Sequence, residues 1–272
     1  MNAGNSFTGD LVAAIIAGQK ARVAGSKGKL IHVSGAGNWI DYGTSGNFNP
    51  DSKVWNDADE DDIKAIHKDM FNGQSDTLVL EAGVDNAVDT YIVCPSIVYG
   101  GADVSAPTLG VGYSLLTGNA KPLGYVPYVG DGTAVVSTVS RSQEASYCFQ
   151  IHTKLLQIHI LDLIDFMVRI TDIAAAGPAQ GTAYSRYYML ETSRVQWKDL
   201  AAELAKVMHA RGIFSNPESK QVSFEQAGEG EVKHLVAANM LFKGDRAAAM
   251  GFVPKQASIL TQIHRDLAAI DI

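Results

Sequence analysis

The sequence has few cysteines, few charges and no long hydrophobic segment. Only two of its 272 residues are cysteine, which is too few for the disulfide framework of a small secreted protein. No apolar run approaches the roughly 18 residues that cross a bilayer. The first five residues have neither the basic start nor the apolar stretch of a secretory signal. We therefore expect a cytoplasmic protein that has no membrane partner.

Positive charge is also scarce. Lys and Arg number 22 against 29 Asp and Glu, which gives a net charge of −7 at pH 7. A nucleic-acid ligand needs a concentrated basic face, whereas the densest charge run, at residues 57–62, is acidic. The sequence therefore predicts no nucleic-acid partner and favours a small molecule as the ligand.

Motifs that hold metal or phosphate are missing as well. His152 and His159 are seven residues apart, and no third ligand stands at a suitable spacing, so we predict no metal site. The phosphate-cradling patterns G-x-G-x-x-G and G-x-x-x-x-G-K-[ST] occur nowhere. Gly35-Ala36-Gly37, for example, is followed by Ile40 where the third glycine would stand.

What is present is an alternation of helix and strand patterns. Residues 10–22 predict a helix, because their apolar positions group on one side. Residues 29–34 and 90–94 are short apolar runs typical of buried strands. Between them a helical pattern covers about 60–86, with one interruption at Asn72-Gly73. Strand, long helix and strand in this order predict a parallel α/β sheet.

The second half continues the alternation after a segment rich in Gly and Pro at 100–132, which predicts loop and short helix. Further predicted elements are a strand at 184–190 and helices at 162–173, 197–211, near 232–250 and at 257–269.

Six segments spread over nearly the whole chain carry a resemblance to a known superfamily. They are residues 31–37, 78–83, 90–100, 128–132, 159–163 and 251–255. The segment 159–163, His-Ile-Leu-Asp-Leu, is similar to the family's His-Val-Asp-Asp-Leu, and 251–255 is similar to its Gly-Trp-x-Pro-Lys. In these segments the chain resembles the extended short-chain dehydrogenases/reductases. The nearest group is the fungal NAD(P)-binding proteins of the NAD-dependent epimerase/dehydratase type.

The resemblance implies a Rossmann-type sheet, a small mixed C-terminal lobe and an NAD(P) cofactor. It implies a division into a remainder of the NAD(P)-binding-like domain at 1–100 and lobe segments at 101–272, interleaved with the last sheet strand. The family keeps its glycine-rich pyrophosphate loop upstream of the part that matches Asn2–Asn5. We therefore expect a partial sheet without its first strands, from a truncated gene product or a shortened paralogue, and weak or absent NAD(P)H binding.

The family's catalytic pair is a Tyr with a Lys four residues later, because a nearby ammonium lowers the pKa of the phenol. None of the ten tyrosines here has Lys at that spacing. Alignment with the family puts Asn72 at the Tyr position and Asp76 at the Lys position, and another register brings His67 near the site. Ala36 stands where the family has a hydroxyl residue for the substrate carbonyl, although Ser34 is two residues away.

The carboxyl ends of the strands supply the candidate site residues, because ligands of open α/β folds bind there. The candidate cofactor-binding residues are Ser34, Gly35, Pro95, Ser96 and Ile97. The candidate catalytic residues are Ser34, Tyr99 and His67.

Each histidine near these positions also has a structural interpretation. His32 lies on a buried strand and is either a core residue or a proton-transfer group. His67 with Asp69 is either part of a solvated surface or an acid/base pair. His159 and Asp162 open a helix, where capping and the helix dipole explain both.

Three functions remain open from the sequence. The first is an NAD(P)-dependent oxidoreductase or epimerase of a small or sugar-like metabolite, with degenerate motifs. The second is a non-redox relative, either a ligand-binding protein or a cofactor-free isomerase or lyase. The third is a fragment that associates through an exposed sheet edge. By analogy with the family we also expect a homo-oligomer that pairs through the helix ending near Asn86.

Overall fold

The computed structural model describes residues 1–22, 27–43, 45–100, 111–134, 136–137, 157–192, 195–230 and 232–268. Its helices are α1 (Asp10–Lys20), α2 (Glu60–Lys64), α3 (Gly73–Val84), α4 (Val111–Leu123), α5 (Ile160–Ala176), α6 (Trp197–Ala210), α7 (Val232–Leu235), α8 (Asp245–Ala249) and α9 (Ile259–Ala268). Its strands are β1 (Gly28–Val33), β2 (Ile40–Asp41), β3 (Trp55–Asn56), β4 (Val88–Pro95), β5 (Ile97–Tyr99), β6 (Pro127–Val129), β7 (Val136–Ser137), β8 (Gln157–His159), β9 (Tyr187–Leu190), β10 (Lys220–Val222) and β11 (Asn239–Lys243).

The central sheet is parallel and has the strand order β1-β4-β9. β4 lies between the other two, with Leu30 opposite Thr90 and Val93 opposite Tyr188. At its other edge β1 is extended by a single parallel bridge from Asn2 to His32. The predicted α/β class with parallel strands is confirmed.

Helices cover both faces of this sheet, which explains why its strands are apolar without alternation. Ile92 of β4 packs in the core cluster that also contains residues of α1 and α3. Its neighbours Tyr91 and Val93 point to the other face and pack in the cluster that contains Phe166 and Ile170 of α5. Successive strand residues face opposite sides, so one continuous apolar run fills two cores.

Most predicted helices are present, but two predictions are wrong in part. α1, α5, α6 and α9 lie where the apolar periodicity predicts them. Of the helical pattern predicted at about 60–86, α3 begins at Gly73, within the predicted interruption, but α2 ends at Lys64 and residues 65–72 are not helical. The predicted helix near 232–250 is instead two short helices, α7 and α8, on either side of strand β11. β11 pairs with β2, β3 and β7 in a small mixed sheet. Its residues Met240 to Phe242 form a short apolar run, which periodicity alone does not distinguish from a buried helix.

Other predictions fall on parts of the chain that are not described. His152 and residues 101–110 lie outside the described residues. Across the described ranges, no helix is both long enough and apolar enough to cross a membrane. The division at residue 100 and the cytoplasmic location stay predictions.

Candidate functional site

A cleft of about 290 Å³ opens at the carboxyl ends of β1 and β4. Parallel strands that neighbour each other end at the same edge of a sheet, and the segments that follow them form the walls of the cleft. The lining residues are Ala3, Gly4, Asn5, Ser6, Phe7, Val33, Ser34, Gly35, Ala36, Gly37, Phe71, Asn72, Pro95, Ser96, Ile97, Val98, Leu115, Leu163 and Met240.

The five candidate cofactor-binding residues all line this cleft. Ser34 and Gly35 follow β1, and Pro95, Ser96 and Ile97 follow one another at the end of β4. The structure therefore brings these residues together, and their roles in binding stay predictions. The buried Ser96 hydroxyl has no hydrogen-bond partner among the residues that the structure describes.

Tyr99 and His67 do not line the cleft. The Tyr99 side chain is buried, its hydroxyl donates to the carbonyl oxygen of Ala257 at 2.6 Å, and its ring stacks edge-on against His159. Burial raises the pKa of Tyr99 to about 12. His67 is largely exposed in the loop between α2 and α3, with Nδ1 3.9 Å from Asp69. The structure thus separates both from Ser34, the remaining catalytic candidate.

Among the described residues, those that line the cleft carry no charge. Every residue that lines it, within the described ranges, is apolar, glycine, proline, serine or asparagine. A dinucleotide carries a doubly anionic pyrophosphate, which proteins usually hold with a glycine-rich helix N-terminus or with Arg and Lys. Gly35 and Gly37 line the cleft but lead only into a 3-10 helix of four residues, Ala36–Trp39, and the described lining has no Arg or Lys. The described lining therefore lacks the usual groups for a pyrophosphate, although an uncharged ring with polar substituents fits its chemistry.

A buried carboxylate stands directly behind the cleft. Asp76 Oδ2 accepts three side-chain hydrogen bonds, from Ser34 Oγ at 2.7 Å, Asn38 Nδ2 at 2.9 Å and the Tyr187 hydroxyl at 3.0 Å. Asp76 is fully buried, and a buried charge is tolerated when hydrogen bonds satisfy it. Because Ser34 donates its hydroxyl proton to Asp76, Ser34 Oγ can only accept a hydrogen bond from a further group.

Tyr187 is a hydrogen-bond donor in this network. Burial and the neighbouring Asp76 raise the pKa of Tyr187 well above its usual value. In a Tyr-Lys pair the ammonium lowers the pKa of the phenol, so the shift here has the opposite direction. Tyr187 stays protonated and acts as a hydrogen-bond donor to Asp76.

His32 sits in the same network and is fully buried. Its Nδ1 lies 3.2 Å from Asn2 Nδ2 and its Nε2 lies 3.2 Å from Ser75 Oγ. Nε2 is also 3.4 Å from Asp76 Oδ1, although that oxygen lacks a hydrogen bond with good geometry among the described residues. This arrangement agrees with the interpretation of His32 as a core residue.

Asn72 fixes the turn between the cleft and α3. Its backbone N–H donates to Asn38 Oδ1 at 2.7 Å, and its Nδ2 donates to Ser6 Oγ at 2.9 Å. A Cβ atom at Gly37 would lie only 2.7 Å from Asn72 Oδ1 and 2.5 Å from Phe71 Cδ1. Gly37 is therefore required here because the loop and the start of α3 approach each other closely.

His159 has the capping role that the sequence predicts, and Asp162 lies in the first turn of α5 as predicted but makes its hydrogen bonds elsewhere. His159 Nδ1 caps α5 by accepting from the backbone N–H of Leu161 at 3.2 Å. Asp162 accepts from the backbone N–H groups of Lys255 and Gln256 at 3.0 and 3.2 Å. Asp162 therefore ties the C-terminal segment to the start of α5.

Two members of the Asp76 network, Asn38 and Tyr187, are not among the candidate cofactor-binding and catalytic residues that the sequence supplies. Tyr187 is 111 residues from Asp76 in the chain. No local pattern pairs two positions so distant, and only the register of β9 beside β4 brings Tyr187 opposite Ile92. Asn38 gives a weak signal, because it lies in the short loop that follows β1.

Comparison with known proteins identifies the fold but no family. No family model matches the chain, and no curated protein matches it. Among solved structures, gox2253 is similar over 95% of this chain at 15% identity, with a TM-score of 0.51. A functionally unknown conserved protein from Silicibacter pomeroyi is similar over 99% of the chain at 13% identity and a TM-score of 0.51. The Bordetella bronchiseptica enzyme WbmH, in complex with NAD+, is similar over 94% at 14% identity and a TM-score of 0.50.

The chain spans about two thirds of the length of gox2253 and WbmH, 68% and 66%, and 76% of the Silicibacter pomeroyi protein. At such low identity the likeness shows the fold alone. The fold is an α/β arrangement of the Rossmann-like type that is also found in an NAD-binding enzyme.

Proposed function

We propose that the chain binds an uncharged small or sugar-like molecule in the cleft and does not transfer a hydride. The observation that carries this proposal is the uncharged lining of the cleft. Its wall combines apolar side chains such as Phe71 and Leu115 with the side chains of Ser34 and Asn72. Apolar walls with a few polar groups are typical of sites for neutral organic ligands.

The positions of the family's catalytic pair support the same conclusion. Asn72 and Asp76 stand where the resemblance would place Tyr and Lys, and Asp76 is committed to three internal donors. A carboxylate at this place does not lower the pKa of a phenol. The network therefore positions Ser34 and the adjoining loops, which suits binding better than acid/base chemistry.

A second candidate is NAD(P) binding, favoured by two observations. The five candidate cofactor-binding residues line one cleft, and WbmH, of similar fold, binds NAD+. The uncharged nicotinamide end of the cofactor matches the lining, whereas the pyrophosphate would have to find its partners elsewhere. We rank this candidate second because of that mismatch.

A thermal-shift panel separates the two candidates. Nucleosides and methyl glycosides serve as uncharged probes, and NADH and NADPH serve as anionic ones. Ala3→Trp introduces a large ring at the mouth of the cleft, and Ala14→Trp, on the exposed side of α1, is the matched control. We expect at least one uncharged probe to raise Tm as its concentration rises, with about 2.7 kcal/mol of added stability at 100 times its Kd.

The rise should disappear in Ala3→Trp and persist in Ala14→Trp. A rise with NADH or NADPH alone, lost in Ala3→Trp and kept in Ala14→Trp, would instead establish the second candidate.

A further inference from the structure

A second cavity, away from the cleft, contains Arg186, which forms no ion pair with any carboxylate of the described residues, although its charge lowers the pKa of the nearby Asp89. This cavity of about 450 Å³ lies between the C-terminal end of α5 and the strands β4 and β9. Its lining residues are Tyr91, Ile173, Ala176, Gly177, Pro178, Gln180, Arg186 and Tyr188. Arg186 carries the only charge in this described lining. We call it the Arg186 cavity.

Arg186 is buried and is held by neutral groups. Its Nε donates to the carbonyl oxygen of Thr90 at 2.7 Å, and its Nη1 donates to those of Gln180 and Gly181 at 3.1 and 2.8 Å. Within the described residues it forms no ion pair, and its Nη2 has no hydrogen-bond partner. Buried arginines are rare unless a negative group pairs with them.

The carboxylate on the other side of Arg186 is already engaged. Asp89 accepts from Lys27 Nζ at 2.6 Å and from the backbone N–H of Ala179 at 3.1 Å. It lines a neighbouring cavity with Arg186 and does not line the Arg186 cavity. The guanidinium is therefore the charge that a ligand in the Arg186 cavity would meet.

Tyr91 and Tyr188 line the same cavity, and the guanidinium carbon of Arg186 lies over the Tyr91 ring, 5.7 Å from its centroid. Among the described residues, neither Tyr91 nor Tyr188 has a hydrogen-bond partner for its phenol oxygen. All three residues line the cavity although little of each is exposed, 2% of Tyr91, 6% of Arg186 and 8% of Tyr188. Burial raises the pKa of both phenols. Both therefore stay protonated at neutral pH and offer O–H donors.

The helix end that borders the cavity does not oppose a negative ligand. The C-terminal carbonyls of a helix carry partial negative charge and repel anions. Here Lys29 Nζ donates to the carbonyl oxygens of Ala174 and Gly177, at the end of α5. The lysine neutralises this helix end and adds a second positive charge nearby.

We propose that the Arg186 cavity binds an organic oxyanion, a carboxylate or phosphate group on a small apolar body. Arg186 Nη2 and the hydroxyls of Tyr91 and Tyr188 donate to its oxygens. Ile173, Ala176 and Pro178 provide an apolar wall for the body. A volume of about 450 Å³ exceeds what an inorganic ion fills, which favours an organic ligand. This site is independent of the cleft and of the function proposed for it.

Calorimetric titration at constant ionic strength tests the proposal. Benzoate and phenyl phosphate are the two oxyanion probes, and benzamide is the uncharged analogue of similar size. We expect saturable binding of at least one oxyanion, and at least about tenfold weaker binding of benzamide. The comparison of benzoate with phenyl phosphate then decides between carboxylate and phosphate.

Substitutions locate the binding. Tyr91→Phe and Tyr188→Phe each remove one donor without changing the ring, and each should weaken oxyanion binding about tenfold. Tyr125→Phe, outside the cavity, is the control and should leave oxyanion binding unchanged. Arg186→Lys keeps the charge but loses the guanidinium fork, and should weaken binding at least as much.

Three results would overturn the proposal. One is the absence of binding by either oxyanion up to about 20 mM. Another is equal binding of benzamide. The third is oxyanion binding that neither tyrosine substitution changes in a variant that still unfolds cooperatively, which would place the oxyanion elsewhere on the surface.

Discussion

Asp76 and Arg186 are buried ionisable side chains with three hydrogen bonds each. They differ in the groups that they bind and in the side-chain atoms that have no partner. Asp76 Oδ2 accepts from three side chains, Ser34 and Asn38 in the loop after β1 and Tyr187 in β9. The three side-chain hydrogen bonds of Arg186 go to backbone carbonyl oxygens. Its Nη2 has no hydrogen-bond partner among the described residues, in a cavity that Tyr91 and Tyr188 also line. The number of hydrogen bonds alone therefore does not distinguish the role of Asp76 from that of Arg186. The Asp76 network is internal and supports a neutral cleft, whereas Arg186 still offers a donor to a ligand.

The largest expected effect comes from removing the carboxylate. Asp76→Ala leaves the side chains of Ser34, Asn38 and Tyr187 without their acceptor, and an unsatisfied buried donor costs about 1–3 kcal/mol. We expect the free energy of unfolding to fall by at least about 3 kcal/mol in urea titrations. The exposed Asp165, 3.2 Å from Lys255 Nζ, is the control, and Asp165→Ala should change it by less than about 1 kcal/mol. Equal losses of stability in Asp76→Ala and Asp165→Ala would show that the Asp76 hydrogen bonds do not stabilise the fold more than an exposed ion pair does.

A smaller effect follows from crowding the same region. Gly37→Ala places a methyl group 2.5 Å from Phe71 Cδ1 and 2.7 Å from Asn72 Oδ1, which should cost about 1–3 kcal/mol of stability. Gly35→Ala is the matched control, because its methyl group would lie 3.3 Å from Asn72 Oδ1. In thermal and urea unfolding, Gly37→Ala should therefore be clearly less stable than Gly35→Ala. The reverse order would contradict the close approach of the loop and α3.

Two neighbouring tyrosines provide the finest test of the comparison. The Tyr187 hydroxyl donates to Asp76 at 3.0 Å, so Tyr187→Phe should cost about 1–2 kcal/mol of stability. The Tyr188 hydroxyl has no partner among the described residues, so Tyr188→Phe should change stability by less than about 0.5 kcal/mol. Urea unfolding of both variants measures the difference. A costly Tyr188→Phe would mean that this hydroxyl already has a structural partner.

The sequence predicts the scaffold and the edge where the cleft lies. Continuous apolar strands and a long helix between them predict the parallel sheet, and parallel strands end at one edge, which brings Ser34 and Pro95 together. The strand β11 escapes prediction because a short apolar run such as Met240 to Phe242 has no distinctive period. Local patterns therefore predict elements best where those elements are long.

Local sequence patterns do not predict the hydrogen-bond networks next to the two cavities. Tyr187 reaches Asp76 only through the register of β9, and Arg186 is a single arginine before a short strand. The resemblance to the dehydrogenases points to Asn72 and Asp76 only as positions where the expected Tyr and Lys are absent. Their hydrogen bonds depend on tertiary packing. The predicted homo-oligomer through the helix that ends at Val84 stays a prediction.

The central claim, that the cleft takes an uncharged ligand and not a dinucleotide, is tested most directly by titrating NADH calorimetrically into Tyr188→Phe. This background weakens the Arg186 cavity, so that binding of the pyrophosphate there does not obscure the result. We predict no saturable heat with a Kd below about 1 mM. A Kd of about 1 μM, which corresponds to about −8 kcal/mol, would contradict the account.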